Sequence, residues 1–261
     1  MTRIYAALCA LLLAAGCASV PPAAVSELAP GGKLRVAINY GNPILASHNA
    51  STGQVSGVSV DLARELARRL GVAVEFVPYP AAGRVVDAAK TRSWDIGFVA
   101  IDPLRAQDIA YSPPYVVIEG AYMVRDGSPI RSNAEVDRAG NRVVVGKGSA
   151  YDLYLSREIT SATLVRAPTS PAVVDLFLAE KLEVAAGVRQ QLEMDAKRVS
   201  GVRMLPGRFM VINQAMGTQP GRPAGSQYLE RFVEDMKASG FVAEALRRHG
   251  IEGAAVAPPG R

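Results

Sequence analysis

Arg105 is a cation at a position where the local sequence disfavours one. It lies in the stretch AIDPLRAQDIAYSPPY, residues 100–115. Asp102 and Pro103 are typical of a helix start, so Asp102 is expected to be the N-cap and Arg105 to lie in the first turn. The helix dipole opposes a cation there by about 1 kcal/mol or less. Either Arg105 is a surface residue that is solvated or pairs with Asp102 or Asp108, or it projects into a cleft and binds a carboxylate through two hydrogen bonds.

Two further segments could contact a ligand. The sequence GKGS, residues 146–149, lacks the spacing of a P-loop, G-x-x-x-x-G-K-[ST]. It predicts a turn between a strand and a helix, where backbone N–H groups can bind an anion or where Ser149 only caps the helix. After the first predicted strand, Tyr40 could stack on a ligand and Asn42 could hydrogen-bond it, unless the segment is an ordinary turn.

The residues that enzymes use most often are sparse. The two histidines, His48 and His249, have no metal-ligand spacing, and no G-x-S-x-G motif occurs. The two cysteines, Cys9 and Cys17, lie near the N-terminus, so the folded part is expected to have no thiol. We therefore predict no catalytic residue, no metal and no cofactor.

The N-terminal residues predict export. An apolar run, residues 6–15, follows Arg3 and is shorter than the about 20 residues that span a bilayer. It indicates a signal peptide over residues 1–16. The small residues before Cys17 are similar to a bacterial lipobox, which predicts that Cys17 is lipidated. Cleavage by the ordinary signal peptidase, which leaves no lipid, is the alternative.

The composition is that of a globular protein with a substantial core, because 49% of the residues are hydrophobic and 20% are charged. The formal net charge is +5. Without Arg3 there are 28 Lys and Arg against 24 acidic residues, or +4. These charges are spread along the chain, whereas a nucleic-acid-binding protein needs a concentrated basic face. We predict no nucleic-acid partner.

The elements that must position these residues alternate between strands and helices. The alternation covers residues 34–124 and restarts at residue 142, after the polar stretch 125–140. This pattern predicts an α/β fold with parallel-rich sheets flanked by helices, in two lobes. Ligands bind beyond the carboxyl ends of such strands, and Arg105 follows one of them. Residues 17–32 are expected to be a flexible tether and residues 253–261 a loose tail.

Several segments together resemble the family 3 solute-binding proteins of bacterial ABC importers. The family has an aspartate that opens a strand, then a helix start ending in arginine, then Phe-Ser-x-Pro-Tyr; here these are Asp95, Arg105 and YSPPY. Residues 57–61 match the family's Gly-Phe-x-x-Asp, and residues 146–149 match its Gly-x-x-Gly-Thr/Ser. The resemblance covers about residues 33–252.

The resemblance implies a periplasmic binding protein fold, in which two lobes joined by two hinge crossings close over a small solute. Lobe 1 would be residues 33–124 plus 217–252, and lobe 2 residues 125–216. Arg105 matches the family arginine that holds the ligand's α-carboxylate. Ser149, with Gly148 at the same helix start, matches the second-lobe residue that contacts the same carboxylate.

Two positions depart from the family. Asp102 stands where threonine is usual. Amino-acid binders usually have a second-lobe aspartate for the α-ammonium group, whereas the corresponding residues 183–189 contain no aspartate and place Arg189 nearby. The ligand is then a carboxylate without an α-amino group, a dicarboxylate that uses both arginines, or an amino acid whose ammonium pairs with Asp102 or Glu193.

The resemblance also implies a function. We expect an exported substrate-binding component that delivers a small carboxylate solute, an amino acid or related organic acid, to an ABC permease in the inner membrane. It would be a periplasmic monomer that contacts the membrane only through a lipid on Cys17. One alternative is an enzyme on the same fold, similar to cyclohexadienyl dehydratase, with Glu119 or Asp102 as general acid. The other is an orphan or sensory lipoprotein that serves no importer.

Overall fold

The computed structural model describes residues 20–260. The predicted signal peptide and Cys17 lie outside these residues. Within them, no helix is both long enough and apolar enough to cross a membrane.

The described residues form strands and helices in the predicted alternation. The strands are β1 Lys33–Asn39, β2 Ser47–His48, β3 Val55–Ser56, β4 Ala73–Tyr79, β5 Ile96–Ala100, β6 Ala110–Arg125, β7 Arg142–Gly146, β8 Thr163–Ala167, β9 Val184–Val188, β10 Val202–Met204, β11 Met210–Thr218 and β12 Ala255–Val256. The helices are α1 Pro22–Leu28, α2 Val58–Leu70, α3 Ala82–Lys90, α4 Ala150–Glu158, α5 Val173–Ala179, α6 Arg189–Arg198, α7 Pro223–Ala238 and α8 Phe241–Arg248.

One sheet runs through the molecule in the order β4-β1-β5-β11-β6-β9-β7-β8. β1 is parallel to β4 and β5, and β7 is parallel to β8 and β9. Each parallel set is the centre of one lobe, and helices pack against it. The two-lobe α/β fold expected from the sequence is therefore confirmed.

Strands β6 and β11 connect the lobes. They pair antiparallel, so that Met210 lies opposite Gly120 at one end and Thr218 lies opposite Ala110 at the other. Residues 120–123 of β6 pair with the second-lobe strand β9. Residues 214–217 of β11 pair with the first-lobe strand β5. Both strands thus change lobes near their middle, a few residues before the boundaries 124/125 and 216/217 expected from the sequence.

Part of the predicted tether is a packed helix. In α1, Ala24 and Leu28 are fully buried, because their spacing of four places them on one face of the helix. This face packs against α7, where Gly225 leaves room for the Leu28 side chain. The backbone N–H of Gly225 donates to Oε2 of Glu27 at 2.7 Å. The expectation of a flexible tether is wrong for residues 22–28.

The predicted loose tail is also wrong in part. Strand β12 pairs with β6, so that Ala255 lies opposite Val117 and Val256 opposite Val116. The N–H of Ala257 continues the pairing with the carbonyl of Tyr115 at 3.1 Å. These backbone hydrogen bonds fix the chain end on the strand that joins the lobes.

Candidate functional site

A narrow cleft, with a cavity volume of about 30 Å³, lies between the lobes at the carboxyl ends of several strands. Its walls come from both lobes and from the connecting strand β11. The lining residues are Asn39, Gly41, Asn42, Ala81, Ala82, Ala100 and Arg105 from lobe 1, Lys147, Ser149, Ala150, Tyr151, Ser170 and Val188 from lobe 2, and Ile212 and Gln214 from β11.

The segment after β5 places Arg105 in this cleft. The predicted helix is a single 3₁₀ turn, Arg105–Gln107, because the chain must return to the sheet where β6 begins at Ala110. Asp102 is not the N-cap that the sequence predicted, because Leu104 directly precedes the turn and no side chain caps it. The Oδ1 of Asp102 instead accepts the N–H of Leu104 at 2.9 Å, in the segment before the turn. The expected opposition of a helix dipole to Arg105 does not apply to so short a turn.

Arg105 is buried, with only 2% of its surface exposed, so the interpretation as a solvated surface residue is wrong. Its Nη1 donates to the carbonyl of Ala100 at 3.0 Å within lobe 1. Its Nη2 reaches across the cleft to the carbonyl of Gly148 at 2.8 Å. Its Nε is buried and has no hydrogen-bond partner among the described residues. A guanidinium has five N–H donors, so an acceptor in the cleft would find donors available.

Among the residues that the structure describes, no carboxylate forms an ion pair with Arg105. Burial lowers the pKa of the guanidinium, which nevertheless stays charged. The nearby Asp102 pairs instead with Arg157 at 3.0 Å. A buried cation without a counter-ion is unfavourable, and a bound anion would remove that cost.

The start of α4 faces the same cleft. Ser149 is its N-cap: its Oγ accepts the N–H of Asp152 at 3.0 Å. The N–H of Gly148 donates to Oδ2 of Asp152 at 2.8 Å, so this amide is already used within lobe 2. As the first two residues of a helix, Ala150 and Tyr151 have amides with no acceptor inside the helix. These two amides, rather than that of Gly148, are suited to bind an anion.

The lobes touch next to this helix start. A Cβ atom built on Gly148 would lie 3.1 Å from the Cα of Gly83 in α3, so the two backbones approach too closely for larger residues. Gly148 also has φ +70°, which favours glycine. The Asp102–Arg157 ion pair is a further contact between the lobes, so the cleft is closed in this structure.

Comparison with known proteins assigns the fold to a family. The sequence matches the model of the bacterial extracellular solute-binding proteins, family 3, over residues 34–251. The chain belongs to this family.

Solved structures of similar fold agree with this assignment. The solute receptor for L-cysteine of Neisseria gonorrhoeae has 20% identity and a TM-score of 0.76, over 88% of this chain and 94% of that chain. An amino acid ABC transporter substrate-binding protein from Streptococcus pneumoniae bound to L-arginine has 17% identity and a TM-score of 0.74, over 90% and 99%. The ancestral amino acid-binding protein AncCDT-1, a precursor of cyclohexadienyl dehydratase, has 21% identity and a TM-score of 0.73, over 86% and 98%. A comparison with curated protein sequences gave no match.

In this solute-binding protein, the structure brings together four of the residues predicted from the sequence. Arg105, Ser149 and Asn42 line the cleft, and Gly148 contributes its carbonyl to the contact with Arg105. The Oδ1 atom of Asn42 is buried without a hydrogen-bond partner among the described residues. Their roles in ligand binding stay predictions.

Three other predicted residues do not line the cleft. The ring of Tyr40 packs against His48, with 5.4 Å between the centroids. Asp102 accepts the N–H of Leu104 and pairs with Arg157. Arg189 donates from Nε to Glu119 of β6 at 2.9 Å and from Nη2 to the carbonyl of Gly207 at 2.6 Å, and its role in ligand binding stays a prediction.

Several cleft residues of the solute-binding protein were not predicted from the sequence. Val188 is the last residue of β9, and Lys147 directly follows the last residue of β7. Both positions follow from the rule that strand ends face the ligand, once the strand ends are known. Ser170 and Gln214 had no comparable indication, because they reach the cleft from a 3₁₀ turn and from the connecting strand. Within residues 20–260, no group of His, Cys, Asp and Glu side chains is placed to hold a metal ion.

Proposed function

We propose that this chain is the exported substrate-binding component of an ABC importer and binds a small carboxylate solute between its lobes. The observation that carries the proposal is Arg105, a buried cation in the wall of the cleft. Among residues 20–260, its Nε has no hydrogen-bond partner and no carboxylate forms an ion pair with it. A carboxylate bound there would accept from Arg105 and from the first amides of α4. It would thereby contact both lobes and favour the closed state.

The family and the similar structures support the wider parts of the proposal. The Neisseria and Streptococcus proteins are a receptor for L-cysteine and an importer component bound to L-arginine, respectively. By analogy, we propose a periplasmic protein that delivers its ligand to a permease in the inner membrane. Lipidation of Cys17 and a monomeric state remain part of this proposal.

An enzymatic role on this fold is the second candidate, since one similar structure is a precursor of cyclohexadienyl dehydratase. Glu119, one of the two acids considered for catalysis, is poorly suited to it. Glu119 accepts from Arg208 at 2.7 Å and from Arg189, and the hydrogen bond from Arg208 is the main reason that the pKa of Glu119 is lowered. A general acid at neutral pH needs a raised pKa. Conversion of prephenate or arogenate by the purified protein would establish this role.

The proposed function is tested by thermal melting with a panel of amino acids, hydroxy acids, keto acids and dicarboxylates. A ligand at 100 times its Kd adds about 2.7 kcal/mol to the free energy of unfolding. For a chain of this size, the melting temperature should rise by about 5–11 °C. The rise should disappear in Arg105→Ala and persist in Arg247→Ala, which removes an exposed arginine from α8.

If no carboxylate raises the melting temperature, or if Arg105→Ala responds like the wild type, the assignment of the site is wrong. The importer role is tested separately from the ligand. Uptake of the identified ligand by cells should require both this protein and a permease, and uptake without the protein would favour the orphan or sensory alternative.

A further inference from the structure

The cleft is electrostatically one-sided. Among the described residues that line it, Arg105 and Lys147 are cations and none is a carboxylate. An amino acid carries both a carboxylate and an ammonium group, so a site for it needs an anion as well as a cation. The walls of this cleft supply only the cations.

The acids behind the cleft walls are already paired. Asp152 Oδ1 accepts from Arg166 at 3.0 Å, and its Oδ2 accepts from the amide of Gly148. Asp102 is paired with Arg157. If either carboxylate turned to a ligand ammonium, it would give up its arginine and the backbone amide it accepts from, that of Gly148 for Asp152 and that of Leu104 for Asp102.

The backbone acceptors next to Arg105 are used as well. The carbonyl of Ala100 accepts from Arg105 and from the hydroxyl of Tyr111 at 3.2 Å. The carbonyl of Gly148 accepts from Arg105. At the end of β9, where a charged side chain would point into the cleft, stands the apolar Val188. An ammonium group beside these residues would be desolvated without compensation.

Asn42 offers an uncharged acceptor in the cleft. Its buried Oδ1 has no hydrogen-bond partner among the described residues, so a ligand hydroxyl could donate to it, but it carries no negative charge to balance an ammonium group. The alanines at 81 and 82, with Val188 and Ile212, offer an apolar surface for a short carbon chain.

We propose that the ligand is a small aliphatic carboxylate without an ammonium group, with a neutral oxygen substituent such as a 2-hydroxyl in its place. This inference rests on the proposed function and narrows its ligand class. The inference also differs from the expectation of a dicarboxylate ligand bound by both Arg105 and Arg189, because Arg189 is paired with Glu119 outside the cleft.

Pairs of ligands that differ only at C2 test the inference. L-lactate is compared with L-alanine, and 2-hydroxyisocaproate with L-leucine, by calorimetric titration of the purified protein. At least one hydroxy acid should bind with a Kd about 100-fold or more below that of its amino acid. Binding of the amino acid as tightly as its hydroxy acid would overturn the inference.

A substitution at Val188 provides a gain-of-function test. Val188→Asp places a carboxylate in the cleft, so it should bind L-alanine or L-leucine more tightly than the wild type and the hydroxy acid less tightly. Val188→Asn, of similar shape but uncharged, should not gain amino-acid binding. A gain in Val188→Asn equal to that in Val188→Asp would contradict the electrostatic argument. If the variants do not fold, the wild-type comparison still decides.

Different results would contradict the proposed function and the narrower ligand class. Amino-acid binding that Arg105→Ala abolishes would leave the proposed function intact and overturn only the narrower ligand class. Absence of binding by every carboxylate in the panel would remove both.

Discussion

Arg105 is the residue on which the proposed function depends most. It is buried and charged, and two of its donors satisfy backbone carbonyls on opposite sides of the cleft. A residue selected only for stability would not need this charge, because a long apolar side chain fills the same space without desolvation. The Nε of Arg105 has no hydrogen-bond partner among the described residues, and we propose that the charge serves a molecule that binds in the cleft.

We therefore expect Arg105→Met to separate stability from binding. The loss of two hydrogen bonds costs about 0.5–1.5 kcal/mol each, and the loss of a buried charge offsets much of this cost. Urea denaturation should give a free energy of unfolding within about 2 kcal/mol of the wild type, while the ligand-induced rise in melting temperature disappears. A Met variant that still responds to ligand would refute the role of the charge.

At the scale of elements, the alternating strands and helices were predictable because their apolar periodicity is strong. In α2, Leu62, Leu66 and Leu70 are buried on one face, and the helix ends at Gly71 with φ 69°. The packed α1 was missed because its residues resemble a linker in composition. Its burial depends on α7, which lies far away in the sequence.

The fit of α1 against α7 gives a coupled prediction. Leu28→Ala removes a fully buried side chain and should cost about 2–5 kcal/mol. Gly225→Ala should also destabilise the protein, because its Cβ would lie 2.8 Å from Leu28 Cδ2. In the double variant the new methyl group has room. The double variant should therefore lose less unfolding free energy than the two single variants lose together. Urea denaturation of the four proteins measures this coupling, and strict additivity would mean that the two residues do not share the space.

The candidate site was only partly predictable for a related reason. Arg105, Ser149 and Asn42 could be found because they lie in loops that follow predicted strands. Arg189 also follows a strand, yet it pairs with Glu119, and the sequence contains no sign of that partner 70 residues away. The 3₁₀ turn at Arg105 was likewise predicted as a helix, because Asp and Pro start both structures.

At the scale of the whole molecule, closure brings charged groups of the two lobes together. Asp102 in lobe 1 is 4% exposed and pairs with Arg157 of α4 in lobe 2 at 3.0 Å. Neither residue lines the cleft. This ion pair can therefore change the balance between open and closed forms without touching the ligand.

Arg157→Gln should weaken ligand binding indirectly. The Arg157 side chain is 39% exposed, so solvent screening limits the ion pair to about 1 kcal/mol, or about a fivefold rise in Kd. Arg138→Gln, which removes an ion pair within lobe 2 alone, is the matched control. Titration at low and high salt should show the difference between wild type and Arg157→Gln shrinking as salt increases. An unchanged Kd for Arg157→Gln would mean that the pair does not contribute to closure.

The packing of α1 also limits how far the protein could move from a membrane. If Cys17 carries a lipid, as we propose, only five residue steps separate it from the start of α1 at Pro22. A fully extended chain of that length spans about 17 Å, whereas a linker that reached β1 at Lys33 would span about 55 Å. Lobe 1 would then stay close to the bilayer, and its encounter with a permease would be a search along a surface rather than through the volume of the periplasm.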